Sequence, residues 1–178
     1  MSPPVKHHNC SVVLIFLSYN NKCLFSLTLQ TGMGLLNLSQ SLPLNNTNQF
    51  TAIAVNNRSI RDGASDKIIL KTKQCPTNEL SVTLSWYDPA GSANCASCLV
   101  NDLDLTVLHN SKVFYPNGGN SADRKNNVER VRVTVTANEQ VEILVTAHNL
   151  ATPVQKYSLI ATGCFDILEA NDGVISQN

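Results

Sequence analysis

The sequence predicts an all-β protein: an antiparallel two-sheet sandwich, jelly-roll-like, preceded by a short N-terminal helical segment. Three observations carry that expectation. Apolar and polar residues alternate with a period of two in run after run, the pattern of strands that face a core on one side only. Asn, Gly and Pro separate those runs, with no βαβ spacing between them. Composition agrees, since the chain is 43% hydrophobic but only 15% charged, against roughly 25% charged in an average domain. Few charges are left for amphipathic helical faces, whereas Val and Thr suit a pleated sheet and Asn suits its turns.

At 178 residues the chain has room for one domain of roughly 100–200 residues and an appended segment. Residues 1–30 are the least defined. Their apolar run, Val12 to Leu17, falls short of a signal-peptide core of about 7–15 residues, lacks a small-x-small cleavage site, and is far below the roughly 20 residues that span a bilayer. Thr31-Gly32-Met33-Gly34 reads as a turn. Leu35, Leu38 and Leu42 then recur at helical spacing until Pro43 stops them, and Asn45-Asn46-Thr47-Asn48 is a polar linker, so residues 31–48 form one unit.

The sandwich is expected over residues 49–166. Phe50, Ile53 and Val55 mark its first strand, and Ile68, Ile69 and Leu70 its second, after the turn-rich Arg61-Asp62-Gly63. Leu80, Val82, Leu84 and Trp86 alternate with Ser81, Thr83 and Ser85, and Leu103, Leu105 and Val107 with Asp104, Thr106 and Leu108. Val131, Val133 and Val135 form the next alternating set, Val141, Ile143, Val145 and Ala147 another, and Tyr157, Leu159 and Ala161 the last. Residues 167–178 read as a tail.

The balance of 13 Lys and Arg against 13 Asp and Glu leaves no net charge. The chain therefore lacks the basic footprint of a nucleic-acid binder and the polybasic cluster that seeks anionic membranes. Of six cysteines, Cys95 and Cys98 form the one C-x-x-C, with no second knuckle to complete a zinc site. It reads as a small loop disulfide or two free thiols. Sequons stand at Asn9, Asn37, Asn45 and Asn57, with Asn45 and Asn57 taken as the glycosylation candidates.

Five motifs occur in order: Leu84-Ser85-Trp86-Tyr87-Asp88-Pro89, Leu99-Val100-Asn101-Asp102-Leu103-Asp104-Leu105, Asn126-Asn127-Val128-Glu129-Arg130-Val131, Ala147-His148-Asn149 and Gln155-Lys156-Tyr157-Ser158-Leu159. Together they resemble the C-terminal β-sandwich of subtilisin-like serine proteases. Gly32-Met33-Gly34-Leu35-Leu36-Asn37-Leu38 resembles the glycine turn and helix that close the catalytic domain before that sandwich. The resemblance implies a non-catalytic module that packs on and stabilises a subtilisin-like catalytic domain, in an extracellular or secretory setting. The family's Gly-Thr-Ser nucleophile motif is absent, as are its His and Asp contexts. A triad assembled from Asp88, His148 and a nearby serine would lack an oxyanion hole. The chain is therefore expected to be inactive alone, the tail of a larger protease altered or cut at its N-terminus. The alternative from another class is a free-standing sandwich that binds carbohydrate or protein.

Asp102 and Asp104 stand at i and i+2, on one face of a strand. With Asn120 and Asp123 from the loop beyond they could supply oxygens to Ca²⁺, the one cofactor considered, and subtilases hold structural calcium. Arg124 and Lys125 beside Asp123 dilute the loop's acidity, which favours the second reading, in which both carboxylates bond backbone amides at a sheet corner. Trp86 shares a face with Leu80, Val82 and Leu84 and is expected in the core. The charges of Glu129-Arg130-Val131-Arg132 are expected on an exposed face or in cross-strand pairs.

Overall fold

The computed structural model describes residues 50–95 and 98–170, and the backbone of 174–177. The strands are β1 Thr51–Ile60, β2 Ser65–Thr72, β3 Glu79–Trp86, β4 Asn101–His109, β5 Lys112–Phe114, β6 Val128–Thr134, β7 Gln140–Leu150, β8 Gln155–Gly163, β9 Phe165–Ala170 and β10 Val174–Gln177. One sheet has the order β10-β1-β8-β3-β6 and the other β5-β4-β7-β2-β9. Every pairing is antiparallel. The expected all-β, two-sheet architecture is what the chain adopts. The helical segment expected over Leu35–Leu42 lies outside the described residues.

Successive strands change sheets at each connection except the β4–β5 hairpin. Its two turn residues, Asn110 and Ser111, have φ of 49° and 60°, the left-handed pair whose twist matches that of the flanking strands. Asparagine supplies this conformation throughout. Among the described residues, six of the seven non-glycine residues with positive φ are Asn, at 57, 78, 94, 110, 117 and 138. A short amide side chain tolerates that region better than other L residues do, so the Asn-rich composition supplies the turns of this sandwich.

The inward positions of both sheets form one core. Ile53, Leu80, Val82, Leu84, Val131 and Leu159 from the first meet Leu70, Leu103, Leu105, Val107, Val141 and Ile143 from the second. Trp86 is buried among them as expected, its Nε1 donating to the Asn101 carbonyl at 2.9 Å. Strands β5, β9 and β10 carry too few alternating apolar residues to stand out in the sequence. The last two continue the pairing beyond residue 166, with β9 beside β2 and β10 beside β1.

Cys75 and Cys164 are bonded across 89 residues, joining the β2–β3 connection to the end of β8. Cys95 and Cys98 are bonded within the β3–β4 loop, which resolves the C-x-x-C in favour of a small disulfide. Two disulfides fit an oxidising compartment.

Candidate functional site

Strands β4 and β6, which carry two of the motifs, approach each other from opposite sheets along one flank of the sandwich. Strand β5 pairs with β4 only at Val107, Leu108 and His109. The preceding amide of Leu105 therefore has no strand partner on that side. Glu129, from β6, fills the gap by accepting the Leu105 N–H at 2.6 Å through Oε2. The edge of β6 is closed in a similar way by the side chain of Asn117. Its Nδ2 donates to the Val128 carbonyl at 3.1 Å, and its Oδ1 accepts the Arg130 amide at 3.2 Å. Side chains thus stand in for a missing strand at these three backbone groups.

Glu129 is completely buried, and its Oε1 has no hydrogen-bond partner. Burial, reinforced by the negative charges of Asp104, Asp123 and Asp102, pushes its carboxyl up to about 9, against the pull of the Leu105 amide. At neutral pH it is a neutral acid. The expectation that Glu129 decorates an exposed face or pairs across strands is therefore corrected. Its parity with Val131, Val133 and Val135 was the available signal, because in a strand those positions share the inward face. Arg130 is also buried, its Nε donating to Ser81 Oγ at 3.2 Å. Arg132 does form the cross-strand pair, with both Glu79 oxygens, at 2.6–2.9 Å.

Asp102 and Asp104 do share a face, and one cation joins them. Arg124 Nη1 donates to Asp102 Oδ2 at 3.0 Å and to both Asp104 oxygens at 2.7 Å. The favoured sequence reading, that these carboxylates bond backbone amides, is replaced by this ion pair. Burial raises the Asp102 carboxyl above its ordinary range despite the Arg124 contact, and its Oδ1 is buried without a partner. Asp123 faces its own loop. It accepts from Asn117 Nδ2 and Asn126 Nδ2, both at 2.7 Å, and from the Lys125 and Asn126 amides. Burial opposes ionisation of Asp123, but these bonds outweigh it and hold the carboxyl below the usual range. Asn120 is exposed on the same loop. No group of three His, Cys, Asp or Glu is arranged to hold a metal among the described residues.

A second network lies at the adjoining end of β3. The Asp88 carboxylate accepts the amides of Val100 and Asn101 at 2.8 and 2.7 Å. Asn101 is the hub: its Nδ2 donates to Thr152 Oγ1 and Gln155 Oε1, and its Oδ1 accepts the Ala151 and Thr152 amides. Gln155 Nε2 continues to the Tyr87 and Lys156 carbonyls. Asp88 is thus engaged with backbone, while His148 is exposed at the β7 position that the β4 register skips. Asp88, His148 and a serine do not form a hydrogen-bonded triad among the described residues. Sequence reasoning did not single out the pair His109 and Glu139, whose Nε2 and Oε2 lie 2.9 Å apart. The Thr136 amide and Asn110 side chain, ahead of His109, draw the Glu139 carboxyl down to about 2.

A groove of about 530 Å³ opens between the edge strands β5 and β6, lined by Val113, Phe114, Tyr115, Gly119, Arg130 and Arg132. Asn57 is exposed at the β1 bulge, its φ being 55°. Asn45, the other sequon candidate, lies outside the described residues. No helix among the described residues is long and apolar enough to cross a membrane.

No protein-family model matches the chain. Its sequence is 31% identical over 94 residues to the serine protease/ABC transporter B family protein tagA of Dictyostelium discoideum. The match covers 46% of this chain and 5% of that protein, so the chain spans a small part of the relative's length.

Proposed function

We propose that this β-sandwich is the non-catalytic C-terminal portion of a subtilisin-like serine endopeptidase, packing on the catalytic domain and stabilising it. The alternation of strands between sheets supports a jelly-roll winding for this module. The observation that carries the functional reading is the use made of the motif residues. Trp86, Asp88, Asn101, Glu129 and Gln155, on which the family resemblance rests, are all bonded to backbone or to one another. Such residues build a rigid scaffold, and the reading assigns them no chemical step. The similarity to a protein named as a serine protease points the same way. The purified chain should release no product from a fluorogenic peptide library; cleavage abolished by a serine-directed inhibitor would sink this reading. The two disulfides support a secretory setting, in which exposed Asn57 is an accessible glycan acceptor.

The sequence also suggested calcium at Asp102, Asp104, Asn120 and Asp123. We infer that Arg124 fills the role of that cation, since its guanidinium already neutralises the strand carboxylates from within the chain.

The groove between β5 and β6 favours a second reading, a carbohydrate-binding sandwich. Phe114 and Tyr115 line it beside Arg130 and Arg132. A glycan array distinguishes the readings: saturable binding lost in Tyr115→Ala favours the sugar module, and a blank array leaves the protease module.

A further inference from the structure

Strand β6 is the outermost strand of the first sheet among the described residues. Its main chain has a definite parity. Asn127 and Val135, which flank it, bond Trp86 and Asn78 on the β3 side. The Val128 carbonyl and the Arg130 amide turn the other way, to the side chain of Asn117. Alternate residues of an antiparallel strand direct both main-chain groups to the same side. Arg132 and Thr134 therefore direct theirs to the outer edge, as Val128 and Arg130 do. Asn117 takes up only the first part of that edge. The remainder runs beside the groove of about 530 Å³, which Arg130 and Arg132 line with Val113, Phe114, Tyr115 and Gly119.

Two features decide what fits there. The edge is closed at one end, because the connection from β5 returns through Pro116–Gly118 and Asn117 holds Val128 and Arg130. A strand added along β6 toward Val128 must end beside Arg130. The charged residues that line the groove are both arginines. Ser81 and Glu79 hold their side chains in place, bonded to Arg130 and Arg132 respectively. At the closed end a peptide's N-terminal ammonium would meet two like charges, whereas a C-terminal carboxylate would meet two charged donors. A C-terminus at that end makes the added strand antiparallel to β6, the sense of every strand pair in the sandwich.

We propose that this groove receives the C-terminal end of an extended peptide, added antiparallel to the edge of β6 with its terminal carboxylate beside Arg130 and Arg132. The last residue of the peptide lies opposite Arg132. It donates its N–H to the Arg132 carbonyl and accepts the Arg132 N–H through its carboxylate. The third residue from the end repeats the exchange at Thr134, and the amide between them faces away from β6. Main-chain bonds of this kind supply affinity with little demand on sequence, and capture of the carboxylate supplies selectivity for chain ends. The inference rests on the edge and the groove and does not depend on the protease reading.

The test uses the full chain and an array of random hexapeptides, each made with a free C-terminal carboxylate and again as the C-terminal amide. Free acids should bind saturably, and the matching amides at least about tenfold more weakly, the scale of one charge-assisted pair. In the tightest binder, N-methylation of the last residue's amide should abolish binding, and N-methylation of the amide before it should be tolerated. Arg132→Gln should weaken the free acid and leave the amide unchanged. Glu79→Gln, which releases Arg132 from its ion pair, should strengthen the free acid. Emission of the single tryptophan, Trp86, verifies the fold of both variants, and the methylated peptides test the register on the unaltered chain. Equal binding of acids and amides, or equal effects of the two methylations, would overturn the proposal. A peptide array without a binder would overturn it too, and with a positive glycan array the groove falls to carbohydrate.

Discussion

Glu129 of β6 accepts the main-chain amide of Leu105 in β4 at 2.6 Å, so a side chain of one sheet completes the hydrogen bonding of the other. This bond spans the flank of the sandwich where no strand lies between them. It also explains why an acid tolerates a fully buried position: the carboxyl stays protonated, and one oxygen satisfies an amide that would otherwise be orphaned.

Stability should therefore depend on pH through Glu129. The folded carboxyl titrates near 9 and the ordinary one at 4.5, so the folded state holds a proton that the unfolded state has released between those values. The stabilisation is complete below about 4.5 and is lost as pH rises toward 9, by up to about 1.4 kcal/mol per unit. Urea titrations of the wild type and Glu129→Gln across that window check this. The amide keeps an acceptor for Leu105 and cannot ionise, so the variant should gain relative stability with each unit of pH. Parallel curves would show that Glu129 is ionised in the folded protein.

Arg124→Ala leaves Asp102 and Asp104 facing each other without their cation. The expected cost is roughly 1–2 kcal/mol, between the values for exposed and buried pairs, because Arg124 is 41% exposed. Added calcium should raise the melting temperature of this variant and leave the wild type unchanged. A calcium-dependent rise in the wild type would show that Arg124 is not the resident cation.

Removing the Cys75–Cys164 disulfide with a pair of serines should cost about 2–5 kcal/mol, because the bond closes a long loop. The Cys95–Cys98 bridge spans a separation of 3 and should contribute far less. Denaturation of the two double variants measures the difference, and equal losses would contradict the loop-entropy argument.

Asn101→Ala removes two donor bonds, leaves the Thr152 amide without its acceptor, and leaves the Ala151 amide only its longer bond to the Val100 carbonyl. A loss of roughly 2–4 kcal/mol is expected from denaturation. Hydrogen exchange at Ala151 and Thr152 should rise with it; unchanged exchange there would show that the hub does not hold this corner.

The long alternating strands were legible because their inward residues are apolar at every second position: Leu80 to Trp86 and Val141 to Ala147 state their own orientation. The short strand β5 was not, since Lys112-Val113-Phe114 is an edge strand with only three residues and little burial. The candidate site was legible in part. Spacing placed Asp102 and Asp104 on one face, but nothing local announces that Arg124 would return across a loop to join them. Glu129 was misjudged because its charge outweighed its parity. Its burial depends on a gap in β4 that only the tertiary pairing creates.

The central claim, that this sandwich stabilises a subtilisin-like catalytic domain without performing chemistry, is tested most directly by adding the purified chain to such a domain from the same organism. A footprint of about 800 Å² per partner is typical of a specific interface. Saturable binding, a longer half-life of peptidase activity at elevated temperature, and no hydrolysis by the chain alone are expected. An unchanged half-life at saturating concentrations, with no binding detected, would contradict it.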